Sequence, residues 1–214
     1  MPRYRTISRD PEGKNFYLVD ASFLAAHYIP VDRITNISEH AQVERSQAWW
    51  AEIVAQLRTG KALVYVPDIC IAEAFKVLAK KYYRDQYFLY PVEYQRARRQ
   101  LSLDIHIAPK SLRAVNRRIK FHDISTNRDI IISVDRFHEI FIKHNLNVSV
   151  PDLVILATGK YLIDFYNIPK QSLYIVTLDT PLWRGSKKFA DIPSAFNPNF
   201  RSEIAQRVFK DAAG

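Results

Sequence analysis

The chain has 214 residues, 48% of them hydrophobic and 25% charged, with only five glycines and a formal net charge of +9. This composition excludes a disordered or low-complexity chain, and the length suits one well-cored domain or one domain with an insertion. The single Cys70 excludes an internal disulfide and a cysteine-rich zinc cluster. No long apolar run follows Met1 and none approaches the ~18 residues that cross a bilayer, so the expected location is cytoplasmic, with no membrane partner.

Residues 1–14 are polar and aperiodic and read as a loose tail. Asn15–Asp20 is an apolar run ending in an acid, a buried-strand pattern, and Ala21–Tyr28 continues as a helix. Pro30–Ile37 reads as a loop and Glu39–Arg58 as a longer helix that carries Trp49 and Trp50 and stops at Gly60. Ala62–Val66 is a second strand. Pro67 and Asp68 then open a helix to about Tyr82, with Asp68 as its expected cap. Residues 84–100 read as inserted helical material, and Leu101–Ile107 alternates as a half-exposed edge strand would. Ser111–Phe121 reads as a basic helix, Val134–His144 and Pro151–Tyr166 as two more. Leu173–Leu178 is a further strand and Ile192–Phe196 a short last one. Strands alternating with helices predict a three-layer α/β/α fold around a central parallel sheet of four to five strands. The expected organisation is a single domain over residues 1–214, elaborated at about 84–130.

That elaboration holds most of the charge. Lys80 to Arg128 contains twelve Lys and Arg against four Asp and Glu, a net of +8. Tyr82, Tyr83, Tyr87, Phe88, Tyr90, Tyr94 and Phe121 are interleaved with these cations. Basic groups attract phosphates and aromatic rings stack on bases, so a nucleic acid is the expected partner of Arg96, Arg98, Arg99, Arg113, Arg117, Arg118 and Lys120. The plain alternative is a pair of solvated amphipathic helices with their aromatics turned inward.

Four acids carry the chemistry. Asp20 and Asp179 each follow an apolar strand, Glu73 lies in the helix leaving the second strand, and Asp152 stands in the first turn of the helix before the fourth. Ligands of an open parallel sheet bind beyond the carboxyl ends of its strands, near the point where strand order reverses. Carboxylates gathered there repel one another by roughly 4 kcal/mol per pair at 4 Å and an effective dielectric near 20. A divalent cation removes that penalty. Each acid also has a plain role open to it: Asp20 as a helix cap, Asp152 in a capping box with Ser149, Asp179 at a turn with Pro181. Asp68 competes with Glu73 as a ligand. The six histidines are scattered without metal-ligand spacing.

Five short stretches together resemble the PIN-domain family, and within it the VapC-type toxins. They are Val19-Asp20-Ala21-Ser22, Ala72-Glu73, Asp152 to Thr158, Thr177-Leu178-Asp179 and Phe196-Asn197-Pro198, in family order over roughly Asn15 to Pro198. The resemblance implies a metal-dependent endoribonuclease in which Asp20, Glu73, Asp152 and Asp179 hold Mg²⁺ or Mn²⁺. It implies that Ser22 orients a carboxylate or the scissile phosphate, and that a homodimer is restrained by an antitoxin protein. The chain is longer than compact family members at Pro30–His40, 84–100 and 108–130. A PIN nuclease that processes RNA with no antitoxin, or a non-catalytic RNA-binding or scaffold module, would carry the same pattern.

Overall fold

A computed structural model describes residues 13–105, 121–189 and 192–200. Strand β1 (Asn15–Val19) lies at the centre of a five-stranded sheet of order β3-β2-β1-β4-β5, with β2 at Ala62–Pro67, β3 at Phe121–Ile124, β4 at Leu173–Val176 and β5 at Ala195–Phe196. Every pairing is parallel. Phe16 to Val19 and all of β4 are buried, as strands covered on both faces must be. Chain order runs outward from β1 through β2 to β3, then jumps back to β4 on the other side. The switch point therefore lies between the carboxyl ends of β1 and β4.

Seven α-helices cover the sheet among the described residues: α1 (Ala21–Ala26), α2 (Ile37–Arg58), α3 (Asp68–Tyr83), α4 (Pro91–Asp104), α5 (Arg128–Lys143), α6 (Val150–Tyr166) and α7 (Thr180–Ser186). The fold is the expected three-layer α/β/α arrangement. Asn36 opens α2 by accepting the Glu39 N–H at 3.0 Å. Trp50 of α2 is core: its indole N–H donates to the Phe23 carbonyl at 2.8 Å and its ring stacks on Phe23 at 5.0 Å. Leu153 to Gly159 of α6 are all buried. A Cβ on Gly159 would stand 2.6 Å from Cδ1 of Ile175, so the bare glycine lets α6 settle against β4. That close approach sets the depth of Asp152, two turns earlier on the same helix. No helix among the described residues is long and apolar enough to cross a membrane.

Two local expectations change. Leu101–Asp104 belongs to α4 and is not strand. Tyr94, Ala97, Leu101, Asp104 and Ile105 are buried at spacings of three and four, a helical stripe that the alternation of the short window concealed. The sheet edge is Phe121–Ile124 instead. Asp68 does not cap α3: the cap position is Pro67, with no side-chain bond. The expected basic helix at 111–121 lies outside the described residues apart from Phe121, and so do residues 1–12 of the tail.

Candidate functional site

The switch point is built around Asp20, 5% exposed at the end of β1. Its backbone N–H donates to the Val176 carbonyl at 3.0 Å, joining it to β4. Oδ1 accepts the Phe23 N–H at 2.5 Å and so starts α1. Oδ2 accepts the Thr177 hydroxyl at 2.6 Å and the Leu178 N–H at 3.0 Å. Three donors occupy most of what a carboxylate can accept. Burial still prevails over them and pushes the Asp20 carboxyl up to about 6, with Asp152 adding to the rise.

Thr177 is the residue that motif reading left without a role. Its hydroxyl donates to Asp20 while accepting the Asp179 N–H at 2.9 Å, so one oxygen ties two of the four acids together. Asp179 in turn caps α7, its Oδ1 accepting the Leu182 N–H at 2.5 Å. Asp152 is half-buried at the start of α6, where Ser149 both donates its hydroxyl to Oδ2 and accepts the Asp152 N–H at 3.4 Å. Asp20 and Asp179 thus cap α1 and α7, while Asp152 pairs with the Ser149 hydroxyl that caps α6. Each leaves free carboxylate lone pairs, since no bond from the described residues reaches Oδ1 of Asp152 or Oδ2 of Asp179.

Electrostatics shows which acids share a neighbourhood. Burial raises the Asp152 carboxyl, and the charges of Asp179 and Glu73 raise it further. The Cys70 thiol, buried in α3, is pushed well up by burial and then by Asp20, Glu73 and Asp152. Asp152 therefore stands in the field of the other three acids. Glu73 is half-buried between exposed Ala72 and buried Ala74, so it sits at a rim. Ser22 is exposed on α1 and shares a cavity with Asp179.

Among the described residues no three His, Cys, Asp or Glu side chains stand close enough to ligate one ion. The donor set nevertheless fits a hard cation: oxygen only, mutually repelling, and carrying open lone pairs. Mg²⁺ commonly keeps several waters and takes only one or two carboxylates, so it does not require three in reach.

Part of the expected cationic surface lies among the described residues. Arg96, Arg98 and Arg99 are exposed on α4, whereas Arg113, Arg117, Arg118 and Lys120 lie outside the described residues. The Arg98 guanidinium packs 5.5 Å from the Tyr94 ring and 5.7 Å from Phe75. Tyr87, Phe88, Tyr94 and Phe121 are buried, which leaves Tyr83 and Tyr90 as the most open rings of the set. A buried acid that pattern reading missed, Asp104, accepts from the Tyr28 hydroxyl and from Gln100 Nε2, each at 2.9 Å. Burial pushes its carboxyl up to about 6.

No protein-family model matches this chain, and no curated protein does. Solved structures do. FitAB bound to an IR36 DNA fragment aligns with a TM-score of 0.53 and 15% identity, over 87% of this chain and 98% of that one. FitAcB from Neisseria gonorrhoeae aligns at 0.49 and 18% over 86% and 99%, and VapBC2 from Rickettsia felis, bound to a promoter DNA fragment, at 0.48 and 11% over 85% and 98%. At these identities the likeness to FitAB is one of fold: the helices and the parallel sheet that frame the four acids are shared along nearly the whole of its length.

Proposed function

We propose that this protein is a divalent-metal-dependent endoribonuclease whose site is Asp20, Glu73, Asp152 and Asp179, and that it acts as the toxin of a toxin–antitoxin pair. The observation that carries the nuclease reading is the shared field of the four acids at the sheet's switch point. Four segments far apart in sequence bring negative charge to one place, where Asp152 responds to Asp179 and Glu73, and Asp20 to Asp152. Such crowding is unfavourable without a cation.

Asp152, with Glu73 or Asp179 beside it, would hold Mg²⁺ or Mn²⁺ through one or two carboxylates and water, with Asp20 behind them. The bound ion would lower the pKa of a coordinated water and offset charge on the phosphate. Asp20, gripped by Phe23, Thr177 and Leu178, fixes the spacing of β1 and β4 beneath the site. Ser22 offers a hydroxyl to the scissile phosphate from the first turn of α1. Arg96 and Arg99, with Arg113, Arg117, Arg118 and Lys120, draw in the RNA backbone. The toxin role, with an antitoxin protein as inhibitor and a homodimer as the working unit, follows from the resemblance of the acidic motifs, and the fold shared with FitAB is compatible with it. An Arg-bearing inhibitory segment would suit so acidic a site.

The test is cleavage of single-stranded RNA with Mg²⁺, Mn²⁺ or EDTA, beside single-stranded DNA of the same sequence. Cutting is expected only of RNA and only with metal, and Asp152→Asn is expected to abolish it while RNA binding survives. A second reading, a non-catalytic RNA-binding module, is favoured by the helix-terminal bonds of the three aspartates and by the lack, among the described residues, of three ligands within reach of one ion. RNA bound but never cut, whatever the metal, would select it.

A further inference from the structure

A cavity of about 310 Å³ opens beside the acids, between α1, α2 and α3. Ser22 and Asp179 form the end nearest the proposed site, and the lining continues away from them. Its floor is aliphatic, with Ile29, Val43 and Val77. Ligand pockets run from roughly 300 to 1,000 Å³, so this one has room for a single small planar group with its sugar.

The polar part of the lining divides into a fixed half and an open half. Glu39 is bolted in place, accepting from the Lys81 ammonium on one oxygen and from the Tyr87 hydroxyl at 2.6 Å on the other. Lys81 also donates to Asp85 at 2.7 Å, so its charge is spent within the protein. Gln42 and Lys80 differ. The Gln42 side-chain amide makes no hydrogen bond to the described residues, and Lys80 makes no ion pair with them. One uncommitted amide presents a donor and an acceptor together, the pairing that a base edge presents in return. The Lys80 ammonium, whose charge also bears on Asp85, presents the charge that a phosphate seeks.

We infer that this cavity is a one-nucleotide subsite, in which the aliphatic floor takes the base of the nucleotide next to the scissile bond, Gln42 reads its edge and Lys80 takes a flanking phosphate. The inference rests on the nuclease reading for the position of the scissile bond, but binding in the cavity is measurable without any cleavage. Gln42 is a specificity residue in this scheme and Lys80 a binding residue.

The experiment uses the full chain and the four nucleoside 5′-monophosphates with their parent nucleosides, titrated by calorimetry. The intact protein should prefer one base over the poorest by about tenfold, and each monophosphate over its nucleoside by about tenfold. Lys80→Ala should bring the second ratio to about one. Gln42→Ala should flatten the first ratio to within about twofold. Val77→Phe, which fills the floor, should weaken all four monophosphates at least tenfold while circular dichroism reports an intact fold. Nucleotide binding that ignores Val77→Phe, or ratios that survive both truncations, would overturn the subsite. Binding as described in a protein that never cuts RNA would refute the nuclease and leave the subsite standing.

Discussion

Replacing Thr177 by valine keeps the shape and deletes one oxygen. That oxygen donates to the ionised Asp20 at 2.6 Å and accepts the Asp179 N–H at 2.9 Å. A hydrogen bond to a charged group contributes ~1.5–3 kcal/mol, and a stranded N–H costs ~1–3 kcal/mol. Water can reach half-buried Asp179, which places the second cost at the low end. The expected loss is about 3 kcal/mol at pH 8, where Asp20, with its carboxyl at about 6, is charged. At pH 4.5 Asp20 is protonated in the folded state, and the same bond joins two neutral groups worth ~1 kcal/mol. The cost of the stranded N–H remains, so the loss should shrink to about 2 kcal/mol. Urea unfolding of both proteins at the two pH values measures this directly, and Thr177→Ser, which keeps the hydroxyl, should recover most of it. An equal loss at both pH values, or one below about 0.5 kcal/mol at pH 8, would refute the tie between Thr177 and the Asp20 charge.

Asp20 and Asp104 both hold protons more tightly folded than unfolded, since each carboxyl rises from the ordinary carboxylate range to about 6. The folded state binds more protons in that window, so stability should fall as pH rises from about 4 to about 6 and then level, as chemical unfolding across pH would show. Asp104→Asn should stabilise the protein at pH 8 by about 1–2 kcal/mol, because the amide can donate to the Tyr28 oxygen and accept from Gln100 with no buried charge; a lower urea midpoint would contradict this. Mg²⁺ should raise the melting temperature at pH 8 and raise it less at pH 5, where burial favours the protonated forms of Asp20 and Asp152, with no effect in Asp152→Asn. Gly159→Val should lose about 1–3 kcal/mol by driving β-carbon bulk into Ile175, and Ile175→Val should restore part of it in the double variant.

Most of the sheet was legible because parallel strands buried on both faces leave continuous apolar runs, as in Asn15–Val19 and Leu173–Val176. The sites of three aspartates followed from those runs, because each acid closes a strand or opens a helix. What the sequence concealed was of two kinds. Leu101–Ile107 alternates over seven residues and only shows its helical stripe when Tyr94 and Ala97 are counted with it. The partnerships were invisible for a different reason: Thr177 is 157 positions from Asp20, and Lys81 is 42 from Glu39. No local pattern announces a hydroxyl that will meet a carboxylate across two strands. The aromatic run at 82–94 misled in its own way, since rings that suit base stacking are equally suited to filling the space between α3 and α4.

The placement of β4 between β1 and β5 has a consequence for the newly made chain. Everything up to Tyr166 can emerge from the ribosome and collapse while Asp20 still lacks its Thr177 and Leu178 donors. The acids gather only when a late segment slides in beside the first strand, a long-range closure of the slow kind. Products terminated before Thr177 would thus lack the donors that hold Asp20 in place between the first strand and the fourth.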